Sequence, residues 1–299
     1  MHRGRSQGFW QRSTSNRIVD MLTGHERRID RLYGHGAGAV ADSHRGYMNF
    51  GLWDAGQADY AQAAERMVER LGELLGLAPG AHLIDAACGR GSQDLYLLRR
   101  FGALSIDAID VTRKNIDLAV AQAGNRDDLR FHHASATRLP FADGQFSHAI
   151  CVEAAHHFDT RERYLAEAYR VLAPGGRIAL ADIVLRRAPR TATEHALIGA
   201  ATALWRIPRA NMVTQAGYRA AFARVGFTGL TVEEVSAQTF PGYYQAQRGP
   251  ARKKELIASR GRLGATVGAV MNFAAHRVYA VGLLDYLLVS ATKPGHGQH

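Results

Sequence analysis

From His82 to Leu185 the chain alternates short apolar runs with polar, helix-length segments, and this alternation narrows the fold more than any other feature. The apolar runs are His82 to Ala87, Leu104 to Asp110, Leu129 to His133, Gln145 to Glu153 and Arg177 to Leu185. Gly91 to Arg100, Thr112 to Ala123 and Thr160 to Leu172 read as helices, with Thr112 as a candidate N-cap. Strands separated by helices of about 12 residues form βαβ units and a parallel sheet. Right-handed crossovers then bring ligands to the carboxyl ends of the strands.

The flanks add helices. Tyr60, Ala64, Met67, Val68, Leu71, Leu74 and Leu75 recur at steps of three and four until Pro79-Gly80 stops them. After the core, Glu194 to Trp205 and Val213 to Val225 read as helices, Leu230 to Ala237 as a sixth strand, and Leu283 to Ala291 as an apolar final strand. A helix is expected near Arg17 to Leu32, followed by a Gly-rich patch of aromatics ending at Trp53. The expected organisation is an arm over residues 1–57 and one domain over 58–294, in which 187–226 and 242–282 are helical lid segments.

Composition excludes several classes. Hydrophobic residues at 46% and charged residues at 21% describe an ordinary globular chain, not a disordered one or a disulfide scaffold. The two cysteines, Cys88 and Cys151, have no metal-ligand spacing around them, and a reduced cytoplasm is expected. The net charge of +10 is spread along the chain. Only the first 31 residues and Arg248 to Arg262 are locally basic, so the charge reads as solubility and not as a nucleic-acid footprint. No apolar run of about 18 residues offers a membrane span, and the amino terminus has no signal-peptide core.

Chemistry concentrates where the first strand ends, in Leu83-Ile84-Asp85-Ala86-Ala87-Cys88-Gly89-Arg90-Gly91. Gly89 and Gly91 allow a sharp turn and a close backbone approach to a ligand. The next helix then aims its amino-terminal N–H groups at that ligand. Asp110, nineteen residues after Gly91, ends the second strand, where a carboxylate can accept from a ribose diol. A nicotinamide dinucleotide would use the same two features. Asp94, however, occupies the place of the third glycine, and an acid is unfavourable beside a diphosphate.

These residues resemble motif I of the class I S-adenosylmethionine-dependent methyltransferases. The resemblance continues through Ala134 to Phe141, Asp143 to Phe146, Val171 to Gly176 and Leu283 to Pro294. It implies a Rossmann-like α/β fold, with a seven-stranded, mostly parallel sheet and an antiparallel last strand. It implies S-adenosylmethionine as cofactor, its methionine end on the loop from Asp85 through Gly89 to Gly91. Asp110 would hold the ribose, Val111 would line the adenine, and Ser135 and Ala136 would sit at the adenine edge. Tyr47, Phe50 and Trp53 resemble the family's aromatic cofactor cover. Three residues depart from the pattern: Ala87 for a glycine, Arg90 for a small residue, and Ser135 for an aspartate that accepts from the adenine amino group.

The acceptor is expected to be a small molecule of bacterial secondary metabolism. The fourth strand runs into Glu153-Ala154-Ala155-His156-His157 and carries no nucleobase-methylation motif. A hydroxyl acceptor needs a base, and a neutral imidazole suits that task. His156 is the expected base, with Asp182 orienting it, an arrangement that resembles natural-product sugar O-methyltransferases; His157 is the second choice. Glu153 is expected near the sulfonium end. A carbon or nitrogen methyltransferase on a prenyl diphosphate or indole would use Glu153 instead, and a cofactor-binding protein without activity is the remaining alternative. Glu194, His195, His276 and Tyr279 are weaker candidates, read as a helix start and as packing. No metal is expected, and the basic arm offers a surface for a second subunit.

Overall fold

His82–Ala86 (β1) and Ser105–Asp110 (β2) lie parallel in register, Leu83 opposite Ile106 and Asp85 opposite Ala108. Both are almost wholly buried, because helices cover each face of a parallel sheet. Side chains alternate between two cores. Leu83, Ile106 and Ile150 pack in one, and Ile84, Ile109 and Cys151 in the other. Each fully buried leucine of this kind is worth about 1.5–3 kcal/mol. We describe the protein from a computed structural model, which covers residues 22–36, 45–56 and 59–295.

The sheet is completed by Leu129–His133 (β3), Phe146–Val152 (β4), Leu172–Leu185 (β5), Thr228–Glu234 (β6) and Leu284–Thr292 (β7), in the order β3-β2-β1-β4-β5-β7-β6. β7 runs antiparallel between β5 and β6, pairing with β5 from Arg177–Thr292 to Leu185–Leu284. The strand order reverses between β1 and β4, so a crevice opens at their carboxyl ends.

Tyr60–Leu75 (α2) starts because the Asp59 side chain accepts from the Ala61 N–H, and it ends where Gly76 turns left-handed. Its Met67, Val68, Leu71 and Leu75 face the core. Ser92–Phe101 (α3), Arg113–Ala123 (α4) and Arg161–Val171 (α5) are the remaining crossover helices. After β5 the chain forms Ala192–Trp205 (α6), Gln215–Val225 (α7), Ser236–Arg248 (α8) and Pro250–Ala280 (α9), the last broken at Gly261.

Four local features differ from expectation. Thr112 holds the N-cap place of α4 but makes no capping bond with its side chain; the Asp110 carboxylate takes the Thr112 N–H instead. β6 ends at Glu234, because Ser236 starts α8 and its hydroxyl accepts from the Tyr286 N–H. β5 begins at Leu172, across the Pro174-Gly175-Gly176 turn, with an irregular register against β4. The arm helix (α1) is Gly24–Arg31, capped by Thr23 and Glu26 in a reciprocal box and followed by one wide turn, Leu32–Gly36. Residues 17–21 of the expected helix lie outside the described residues. The described part of the arm packs on its own chain, where His25 bonds the His157 carbonyl.

Candidate active site

The loop after β1 keeps the shape that close approach requires. Gly89 and Gly91 have φ of 58° and 78°. A Cβ at Gly91 would meet the Phe131 ring at 2.6 Å, and one at Gly89 would strike Met48. Ala87 adopts φ of 71° in the glycine's place, a conformation that costs an L-residue roughly 1–2 kcal/mol. Asp110 ties this loop to β2: its carboxylate accepts from Gly89 N–H at 3.0 Å, Thr112 N–H at 2.7 Å and Asn115 at 3.4 Å. Burial pushes its carboxyl up to about 6, against the pull of those donors.

A cleft of about 870 Å³ opens over the loop. Gly89, Asp110, Val111, Ala136, Glu153 and His157 all line it. Gly91, Asp85, Ser135, Tyr47 and Trp53 do not. Asp85 lies wholly buried beneath the loop and accepts from Gln93, which does line the cleft. Burial pushes Asp85 up to about 7, and Asp94 beside it is raised as well, since two adjacent buried carboxyls do not both ionise. Tyr47 donates to Glu65 and to the Ser92 carbonyl, and Trp53 donates to the Phe50 carbonyl. Both rings brace the cover segment, while its Met48 and Asn49 reach the cleft. Ser135 gives its hydroxyl to Glu26.

A second cavity of about 1030 Å³ meets the first at Tyr33, Met48, Glu153 and His157. Its walls are largely apolar and aromatic, with Phe50, Tyr60, Ile183, Trp205, Tyr243 and Met271 among them. His156 also lines it, and its Nδ1 lies 3.0 Å from Asp182 Oδ1. Asp182 is fully buried and accepts from Arg161 Nε at 2.7 Å, the Tyr218 hydroxyl at 3.0 Å and the Ile183 N–H at 2.9 Å. Burial alone would raise this carboxyl, but the Arg161 guanidinium and His156 hold it well below the usual range. The carboxylate therefore keeps the proton of His156 on Nδ1 and leaves Nε2 free to accept.

His157 is placed differently. Its Nε2 pairs with the Tyr33 hydroxyl at 3.1 Å, and burial together with His156 pushes its pKa well below the usual imidazole value. Glu153 sits at φ of 55° and accepts from Phe50 N–H at 2.6 Å and the Tyr286 hydroxyl at 2.5 Å. Burial pushes it up to about 8.

The weaker candidates stand apart. Glu194 pairs with Arg187 at 2.7 Å, His195 is exposed, His276 stacks on Tyr244 and Tyr279 on Phe240; none lines either cavity. Among the described side chains of Arg248–Arg262, only Leu256 lines the second cavity. Among the described residues no group of three or more His, Cys, Asp or Glu is placed to hold a metal ion, and no helix is long and apolar enough to cross a membrane. Arg161, Asn211 and Tyr218 escape sequence reading. Asn211 donates to the carbonyls of His156 and Phe158 and accepts from Arg161 N–H, fixing the histidine turn from fifty residues away. No local pattern marks it.

Comparison with known proteins agrees with this geometry. Residues 84–180 match the family model described as a methyltransferase domain. Methyltransferase GfsG of Streptomyces halstedii is 30% identical over 253 residues, covering 83% of this chain and 87% of that one. Erythromycin 3''-O-methyltransferase of Saccharopolyspora erythraea is 27% identical over 263 residues, covering 83% and 84%. The fold of geranyl diphosphate C-methyltransferase from Streptomyces coelicolor, solved with Mg2+, geranyl diphosphate and S-adenosyl-L-homocysteine, superimposes with a TM-score of 0.72 at 19% identity, over 91% of this chain and 98% of that one. With a glycine loop, a carboxylate at the end of β2 and a relative aligned over most of its length, the chain belongs to the class I S-adenosylmethionine-dependent methyltransferases of bacterial natural-product type.

Proposed function

We propose that this methyltransferase alkylates a hydroxyl oxygen of a small natural product with a largely apolar body, and that His156 removes the proton. The observation that carries the reading is the Asp182 carboxylate on His156 Nδ1, with the ring on the wall of the second cavity and 4.2 Å from the ring of His157, which lines both cavities. Two similar chains, those acting on erythromycin and on 27-O-demethylrifamycin SV, carry names that fit an antibiotic hydroxyl.

The residues fit the cofactor. Gly89, Asp110, Val111 and Ala136 all line the cleft: the backbone of Gly89 can be approached closely, Asp110 could accept from the ribose hydroxyls, and Val111 and Ala136 would flank the adenine. S-adenosylmethionine supplies a methyl group already activated on sulfur. The protein therefore has two tasks, to align the acceptor oxygen and to take its proton. As the oxygen–carbon bond forms, the proton moves to His156 Nε2 and the resulting imidazolium is stabilised by Asp182. Apolar walls exclude water from the site. His156→Ala should lower turnover by about 10²–10⁴ and leave the affinity for S-adenosylhomocysteine nearly unchanged.

A second reading has its own support. Phe50 and Tyr243 stack at 4.2 Å beside Glu153, and both line the second cavity. Ring faces beside a carboxyl suit a cationic intermediate, as carbon methylation of an alkene requires. Full turnover in His156→Ala, with a dead Glu153→Gln, would establish this reading and remove the first.

A further inference from the structure

Glu26 comes from the arm, more than a hundred residues before the strand whose end it meets. It is 7% exposed and lines the cofactor cleft together with Val111, Ala134 and Ala136. Its Oε2 accepts from the Thr23 N–H at 2.8 Å, which closes the capping box of α1. Its Oε1 takes the Ser135 hydroxyl and lies 3.3 Å from the Thr137 hydroxyl, so the carboxylate sits between the two residues that flank Ala136. A carboxylate has about four acceptor directions. Thr23, Ser135 and Thr137 use three of them and leave one at the cleft wall.

We propose that Glu26 accepts the hydrogen bond of the exocyclic amino group of adenine, and so supplies from the arm the acid that the β3 end lacks at Ser135. The inference rests on the cofactor reading of the cleft and goes beyond it by assigning base selectivity to the arm. Ser135 then has a supporting part, donating to Glu26 and holding the carboxylate in place. The arrangement also joins cofactor recognition to the acceptor site. The same arm carries Tyr33, which lines both cavities and bonds His157, and His25, which bonds the His157 carbonyl. A cofactor whose base engages Glu26 thereby holds the arm against the histidine turn.

The test compares S-adenosylhomocysteine with S-inosylhomocysteine, in which a 6-oxo group replaces the amino donor, by calorimetry on the full chain. The wild type should prefer the adenosyl compound by about tenfold or more, the scale of a hydrogen bond to a charged acceptor. Glu26→Gln preserves the capping box, because glutamine serves equally well at that position. With its carbonyl oxygen kept on the Thr23 N–H, it offers the adenine amino group a neutral acceptor in place of a charged one, so the preference should shrink to within about threefold. Ser135→Ala should leave the preference standing. A role confined to helix capping would weaken both ligands alike and leave their ratio unchanged. An unchanged ratio in Glu26→Gln overturns the proposal, as does a ratio that collapses in Ser135→Ala but not in Glu26→Gln. A wild type that binds neither compound would overturn the cofactor reading itself.

Discussion

Glu153 lies half-buried between the two cavities, and its folded pKa of about 8 lies above the ordinary 4.5. The folded chain thus holds a proton that the unfolded chain releases. The stabilisation from this proton is complete below about pH 4.5 and is lost as the pH rises through about 8. Glu153→Gln cannot ionise, so its Tm should fall less than that of the wild type across this window. Parallel melting curves would show that the carboxyl is solvated in the folded protein. Asp110 has the opposite consequence for binding. Burial raises it to about 6, and a protonated carboxyl is a poorer acceptor for ribose hydroxyls. Affinity for S-adenosylhomocysteine should weaken as the pH falls through about 6. Asp110→Asn should lower that affinity by roughly 1.5–3 kcal/mol, the worth of a hydrogen bond to a charged group. An affinity flat with pH and indifferent to Asp110→Asn would remove the ribose role. Asp110 and the glycines were legible because one short motif contains the turn and the next strand ends on the acid. Asp182 was legible through the resemblance of its pairing with His156 to natural-product sugar O-methyltransferases, although β5 runs past it to Leu185. Its ionised state depends on Arg161 and His156, which approach from a helix and from the turn after β4.

At the scale of elements, the turn Ala155–His157 has little internal bonding to hold its shape. Arg161 and Asn211 provide it. The Arg161 guanidinium donates to Asp182, to the Asn211 carbonyl and to the Ile183 carbonyl, and the Asn211 side chain bridges the carbonyls of His156 and Phe158. Both residues are at most 3% exposed. Asn211→Ala leaves those carbonyls and the Arg161 N–H without partners, at a cost of about 1–3 kcal/mol in stability. Turnover should fall further than the affinity for S-adenosylhomocysteine does, because the clamp sets the imidazole and not the loop after β1. Turnover kinetics and calorimetry on the same variant separate the two, with chemical denaturation for the stability loss; equal losses of turnover and affinity would place Asn211 in general scaffolding. The strands of the sheet were readable as short, continuously buried apolar runs, and the helix before β1 because its burial repeats every three to four residues. Thr112 holds the expected N-cap place, and the boundary miss at Val235 occurred where a distant partner outbid the local signal: the Tyr286 N–H took the Ser236 hydroxyl.

For the whole molecule, the arm is the part that makes two cavities out of one crevice. Ile29 and Glu26 close the cofactor cleft, and Leu32 and Tyr33 wall the second cavity. A chain lacking residues 1–36 should keep its folded sheet by circular dichroism, bind S-adenosylhomocysteine at least about tenfold more weakly through the loss of a charged acceptor, and turn over little. Retained affinity would show that the crevice at β1 and β4 suffices. The alternation of strands and helices, the Gly89–Gly91 loop and Asp110 determined the sheet and the cofactor end by themselves, because βαβ handedness leaves one place for a ligand. Only the tertiary structure decided which residues wall the second cavity, which histidine meets Asp182 and which acid meets Ser135. Those contacts join residues 26 to 124 positions apart, and they exist only after packing has brought the arm, the helices after β5 and the strand ends to one side of the sheet.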